Sequence, residues 1–220
     1  MKASLLSCFF CLALVVRIPA QSSETNIDNN QVKVLSVTNK PHQKSSLHQH
    51  ITNRVMIYLQ AGGQTIEYQD GKKVLLSWKA GEVKWSQASG RHTSELTTDK
   101  PVTIVEVELK KPGGSARVGT STLDPVKVDP RHYKVEFEND QVRVLRVRIG
   151  AKESAPMHEH VLNRVVTYLT DQDFRITTAE GKVDSAMHRA GDVSWGGPAK
   201  HEEENLSDKT FEAVVVELKG

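Results

Sequence analysis

Residues 31–59 and 141–169 align without a gap and share 12 of 29 positions. QVKVLSV at 31–37 matches QVRVLRV at 141–147, and HQHITNRVMIYL at 48–59 matches HEHVLNRVVTYL at 158–169. The agreement continues through Ile66 and Ile176, Gly71-Lys72 and Gly181-Lys182, and AGEVKW (80–85) and AGDVSW (190–195). After the loss of one residue, His92 falls on His201 and Glu95 on Glu204, and VEVELK (105–110) closes one copy as VVVELK (214–219) closes the other. A match across two whole halves means that one unit was duplicated, so whatever fold is assigned must be assigned twice. Copies of roughly 90 residues bury only small cores. The halves are therefore expected to pack on one another, or the chain to form a homodimer.

Each copy reads as strands. QVKVLSV, VTIVEVEL and QVRVLRVRI alternate apolar with polar residues, the period of a half-buried strand. Turn signals at Ala61-Gly62-Gly63, Asp70-Gly71, Glu180-Gly181 and Gly196-Gly197-Pro198 punctuate the runs, and no segment sustains a helical period. Regular short strands with such turns predict an all-β sandwich or barrel in each half. The small, polar, Gly-rich stretch 111–122 reads as a linker. The expected division is a leader at 1–20, one domain at 21–110, the linker, and a second domain at 123–220.

The leader expectation rests on Lys2, the apolar run SLLSCFFCLALVV from Ser4 to Val16, and Arg17-Ile18-Pro19-Ala20. A basic start, a short apolar run and a small residue before a polar segment describe a secretory signal, with cleavage after Ala20 and export to the periplasm or medium. The run is too short for a membrane span. Both cysteines, Cys8 and Cys11, lie inside it, so the mature chain would have no disulfide, thiolate ligand or cysteine nucleophile. Without Lys2 and Arg17 the basic and acidic residues balance at 27 each. No basic block points to nucleic acid.

Six of the nine histidines occupy the registered pairs His48/His158, His50/His160 and His92/His201. On a strand, residues two apart share a face, so each His-x-His projects two imidazoles together and His92 or His201 supplies a third from a neighbouring strand. His42, His132 and His188 have no histidine counterpart. The six are the candidate metal ligands, with buried hydrogen-bonding histidines as the alternative.

Both halves resemble cupin domains, the small jelly-roll β-barrels, so the chain resembles a bicupin. The family's first motif, His-x-His, a Glu after four residues and a later Gly, is matched in spacing by HQHITNRVMIYLQAG (48–62). Its second, Gly, then Pro-x-Gly-x-x-His and an Asn, is similar to GDVSWGGPAKHEEEN (191–205), with Gly191, Pro198, His201 and Asn205 in place and the inner Gly missing. The first copy keeps Gly81, Gly90 and His92 but has Leu96 for the Asn. The resemblance implies a metal bound by the histidines. On this spacing Val55 and Val165 stand where the family has its Glu, leaving three-histidine sites with open positions and uncompensated charge. Such a centre favours an anionic ligand, and iron, zinc, copper or nickel would all suit it.

Several residues are candidates around the site. Arg54 and Arg164 either fork to a substrate carboxylate or, if Val55 and Val165 point inward, face away and pair with acidic neighbours. Tyr58 and Tyr168 either donate a proton or simply pack. Trp85 and Trp195 read as core aromatics, Asn53 and Asn163 as turn residues. Glu95 and Glu204 are substitute carboxylates by position, but their odd spacing from the third histidine turns them outward, and the run 202–204 reads as a solvated edge. Three readings follow: a metal-dependent, dioxygenase-like enzyme on a small organic substrate, a non-catalytic protein that binds a metal or small ligand, or a structural protein that uses the barrel only and binds no metal. Pro198 and Asn205 favour the second half as the working site.

Overall fold

The computed structural model describes residues 21–114 and 120–220. The expected leader, residues 1–20, and the centre of the expected linker lie outside the described residues. The first half holds nine strands: β1 (Gln21–Asp28), β2 (Val32–Asn39), β3 (His48–His50), β4 (Arg54–Tyr58), β5 (Gly62–Tyr68), β6 (Lys73–Trp78), β7 (Val83–Ser86), β8 (Ser89–Leu96) and β9 (Val102–Leu109). A four-residue helix, α1 (Pro125–Val128), opens the second half. Then come β10 (Tyr133–Glu138), β11 (Val142–Ile149), β12 (Ser154–His160), β13 (Arg164–Tyr168), β14 (Gln172–Thr178), β15 (Val183–His188), β16 (Val193–Gly196), β17 (Ala199–Asn205) and β18 (Phe211–Leu218).

The duplication is exact in topology. The first half forms sheets ordered β1-β2-β9-β4-β7 and β3-β8-β5-β6, and the second repeats them as β10-β11-β18-β13-β16 and β12-β17-β14-β15. Each half is a two-sheet all-β barrel. The Ala61-Gly62-Gly63 signal is corrected: Gly62 and Gly63 already belong to β5. Glycine is required at Gly63, where a Cβ would lie 2.9 Å from the Leu76 backbone carbonyl oxygen of the paired strand. Gly71 and Gly181 do turn, with φ of 86° and 80°, a region that costs glycine nothing.

The five-stranded sheets meet back to back. Val32, Val34, Val55, Ile57, Val105 and Val107 of the first half form one buried cluster with Val142, Val144, Val165, Val214 and Val216 of the second. Fully burying each such side chain contributes about 1.5–3 kcal/mol relative to leaving it in water, so the halves stabilise one another as their small cores demand. Asn53 and Asn163, expected only as turn residues, add a reciprocal pair of contacts. Asn53 donates to the Gln141 side chain at 2.6 Å and Asn163 to that of Gln31 at 2.7 Å. Arg146 reaches the Gly81 carbonyl across the same seam at 2.6 Å.

Alternation along these strands makes their opposite faces the linings of two barrels. Met56, Tyr58, Trp78, Leu96, Val102 and Ile104 pack inside the first. A larger set built on Tyr133, Leu145, Val147, Tyr168, Phe174, Phe211 and Val215 packs inside the second.

Candidate metal centre

In each barrel the third histidine lies directly opposite the first. His48 pairs with His92 across β3 and β8, and His158 with His201 across β12 and β17. The second histidine of each His-x-His shares that face, and the three rings close into a cluster. Ring centroids are 4.6–5.4 Å apart in the first barrel and 4.5–5.7 Å in the second. One ligand nitrogen from each ring lies within 4.8 Å of the others in both triads.

The outer nitrogens fix which way the lone pairs point. Nδ1 of His48 lies 2.8 Å from the Ser46 carbonyl and Nδ1 of His92 2.9 Å from that of Gly90. Nδ1 of His158 meets the Pro156 carbonyl at 2.9 Å, and Nδ1 of His160 meets the Glu217 carboxylate at 2.8 Å. A carbonyl or carboxylate only accepts, so Nδ1 carries the proton and Nε2 turns its lone pair inward. Burial, reinforced by the Arg54 charge, brings His50 down to about 3. Burial likewise brings His158 down to about 4 and lowers His92 and His160. These imidazoles are neutral at pH 7. Where Nδ1 is held in this way, the Nε2 lone pair points into the triad, as an ion held by imidazoles requires, and three clustered imidazoles suit a divalent transition ion.

The carboxylate expected at Val55 and Val165 is found elsewhere. Both valines point away from the histidines into the core between the barrels, so the strand position facing the cavity falls to Arg54 and Arg164. This corrects the expectation that alternation turns the arginines outward. In the second barrel a carboxylate comes from Glu203, two residues beyond His201 on β17 and hence on the same face. Its Oε1 lies 3.1 Å from His201 Nε2, and its Oε2 accepts from the Tyr133 hydroxyl at 2.9 Å. The same hydroxyl stands 3.2 Å from His158 Nε2. Burial would raise Glu203, but the His201 hydrogen bond, the neighbouring histidine charges and Tyr133 hold it below the ordinary carboxylate range. Burial and the Glu203 charge keep Tyr133 well above the ordinary phenol value, hence protonated. The run 202–204 is thus only partly a solvated edge: Glu202 is exposed and Glu204 pairs with Arg175 at 2.7 Å, while Glu203 turns in. Sequence spacing alone held this signal, since the even offset from His201 differs from the odd offset of Glu204.

Behind the second triad runs a buried chain of charges. Glu217, bonded to His160, takes the Arg143 Nε at 2.6 Å, and Arg143 also pairs with Asp124 at 2.8 Å. Asp124 in turn caps α1 by accepting from the Val126 N–H. The first barrel has Ser94 at the position two beyond its third histidine, and Ser94 bonds Ser45 instead. Its nearest carboxylates, Glu106 and Glu108, group with His50 alone.

The other candidates divide between packing and cavity. Tyr58 stacks on Trp78 at 4.3 Å; Tyr168 stacks on His188 at 4.0 Å and contacts Ser194 Oγ at 3.0 Å. Burial raises both phenols, Tyr58 to about 12, and both line their cavities. Trp85 packs against the core between the barrels. Trp195, expected beside it as a core aromatic, is instead 38% exposed. Asn205 is fully buried and ties the chain down through the carbonyls of Ile149, Gly150 and Lys209. The first cavity measures about 690 Å³ and the second about 330 Å³, both within the range of small-molecule sites.

The chain has the cupin fold, with two such barrels in tandem. Solved structures of the same fold include AerE from Microcystis aeruginosa, with a TM-score of 0.66 at 12% identity over 91% of this chain and 93% of that one. A deletion mutant of Bacillus subtilis oxalate decarboxylase matches at 0.60 and 13% identity, over 90% of this chain and 72% of that one. A cupin 2 conserved barrel domain protein from Leptotrichia buccalis matches at 0.56 and 11%, over 93% and 92%. No protein-family model and no curated protein sequence matches the chain. At such identities the likeness is one of fold, and function must be argued from the site.

Proposed function

We propose that this is an exported, metal-dependent bicupin enzyme acting on a small organic substrate, with the second barrel as its working site. One observation carries the reading: in that barrel His160, His201, the Glu203 carboxylate, the protonated Tyr133 hydroxyl and the Arg164 guanidinium line one cavity, with His158 completing the triad. His158, His160 and His201 would hold the ion, with Glu203 as the carboxylate that partly offsets its charge. A divalent transition ion bound there would supply Lewis-acid or redox chemistry to a bound anion, of the kind a dioxygenase-like activity needs.

The chain's own residues do the rest. Glu217 fixes His160 through Nδ1, and Arg143 fixes Glu217, so the triad is oriented before any ligand arrives. Tyr133 keeps its proton and donates a hydrogen bond to Glu203 at 2.9 Å, which holds that carboxylate beside the triad. Val147, Val166, Phe211 and Val215 give the cavity an apolar wall against which an organic substrate can pack.

Export is supported by the basic-then-apolar pattern of residues 2–20 and by cysteines confined to it. Intact-mass measurement of the protein from its native compartment tests this part; a mature start at Gln21 is expected, and a retained leader in a cytoplasmic fraction would refute it.

Elemental analysis of protein purified without chelator tests the metal. One or two equivalents of iron, copper, nickel or zinc are expected, with loss of the second-barrel equivalent in H158A/H160A. Protein that holds no metal even after loading would overturn the reading. A metal that loads while no member of a broad enol and catechol panel drives oxygen uptake would leave the binding role alone.

A further inference from the structure

The two cavity arginines occupy matching places and are treated in opposite ways. Arg54 is locked: its NH1 donates to Glu106 at 2.7 Å and its NH2 to Ser86 Oγ at 3.0 Å. In the second barrel both partners are gone. Arg164 faces Gly196 across the strand pair where Arg54 faces Ser86. Val215 stands beside Val166 where Glu106 stands beside Met56. Arg164 keeps a hydrogen bond from NH1 to the Gly197 carbonyl, and among the described residues it forms no ion pair. The two carboxylates near it are committed elsewhere, Glu217 to His160 and Arg143 and Glu203 to His201 and Tyr133.

A half-buried guanidinium without a carboxylate partner is costly unless a ligand supplies one. Its planar fork matches a carboxylate bidentately. The rest of the cavity states what else the ligand carries. Val147, Val166, Ile176, Phe211 and Val215 make an apolar wall. The Gln172 Oε1 oxygen, on a residue lining the cavity, is buried with no hydrogen-bond partner among the described residues.

We propose that Arg164 is the anchor of a small organic carboxylate with an apolar body, and that Val215 and Gly196, standing where the first barrel has Glu106 and Ser86, are the residues that leave it free to act. The first barrel, in which Glu106 occupies its arginine as an internal anion, takes no such ligand. This deepens the reading of the second barrel as the working site and rests on it for the ligand's place beside the histidines.

Calorimetric titration of benzoate into metal-stripped protein at pH 7.5, with benzyl alcohol as the uncharged control, tests the proposal without needing the metal. One benzoate per chain is expected, with benzyl alcohol binding roughly tenfold or more weakly. R164Q, which breaks no ion pair and so keeps the fold, should weaken benzoate roughly tenfold or more and leave benzyl alcohol unchanged. V215E should weaken benzoate as R164Q does, and E106V should open a second, weaker benzoate site. Unchanged affinity in R164Q, or two equivalent benzoates in the unaltered protein, would overturn the proposal. A protein that takes benzoate through Arg164 but never loads metal would sink the enzyme reading while leaving the anion site standing.

Discussion

Glu217 lies behind His160, its carboxylate 2.8 Å from Nδ1, and is itself almost completely buried. Arg143 supports it from the far side. Such an arrangement raises the basicity of the imidazole and fixes its rotation. Glu217→Gln should therefore weaken metal binding in the second barrel by about 10–100-fold while leaving the first barrel's affinity as it was. Competition against a chromophoric chelator reads the two affinities separately; equal weakening in both barrels would contradict the assignment.

Glu203 makes a sharper test, because the first barrel has a serine at that place. Glu203→Gln keeps the shape and the Tyr133 contact but removes the charge beside the triad. At limiting free metal the stoichiometry should fall toward that of the first barrel alone. If Glu203 were merely a surface acid, the binding isotherm would not move.

The metal-free protein should lose stability in mildly acidic solution. Unfolded, His158 titrates near 6.5; folded, burial brings it to about 4. Between those values the unfolded chain holds the extra proton, so the stability is fully present above about pH 6.5 and drains away as pH falls toward 4. For this one residue the loss is at most about 3 kcal/mol. Glu203 and Glu217, held low in the folded protein, add their losses further down, below the ordinary carboxylate range. Urea unfolding of H158N across pH 4–7 should show a shallower slope than the unaltered chain.

The valine seam between the barrels should make the chain unfold as one unit. Val165→Ala removes a fully buried side chain from it and should cost about 2 kcal/mol or more. Scanning calorimetry should show a single transition moved to lower temperature. Two resolved transitions in the unaltered protein would mean that the seam contributes little.

The sequence carried the repeat, the strand period and the histidine register, because each is a local pattern that a pleated sheet imposes directly. What it did not carry depends on which face a strand turns inward. Val55 and Val165 are apolar, and an apolar residue on a barrel strand reads as lining whichever core is assumed. Only the second core, between the barrels, reveals that they serve it and that Arg54 and Arg164 face the cavities. Glu203 was hidden among three consecutive glutamates, where composition signals solvent and only the parity from His201 separates one from its neighbours. β1 was invisible for another reason: QSSETNID has no apolar alternation and is a strand because β2 offers it an edge. Trp195 is exposed although its partner position, Trp85, is packed, so equal sequence positions in a repeat do not guarantee equal burial.

The reciprocal bonds Asn53–Gln141 and Asn163–Gln31 describe a seam that two identical subunits would make, each giving and receiving the same contact. A pair of separate, identical barrels joined in this way could change a cavity residue only in both copies at once. With both barrels encoded in one polypeptide, that symmetry no longer binds them. Position 106 can hold an acid while its twin at 215 holds a valine, and each change is inherited in one cavity only. Covalent joining therefore made it possible for the two chambers to specialise without either losing the neighbour that keeps it folded.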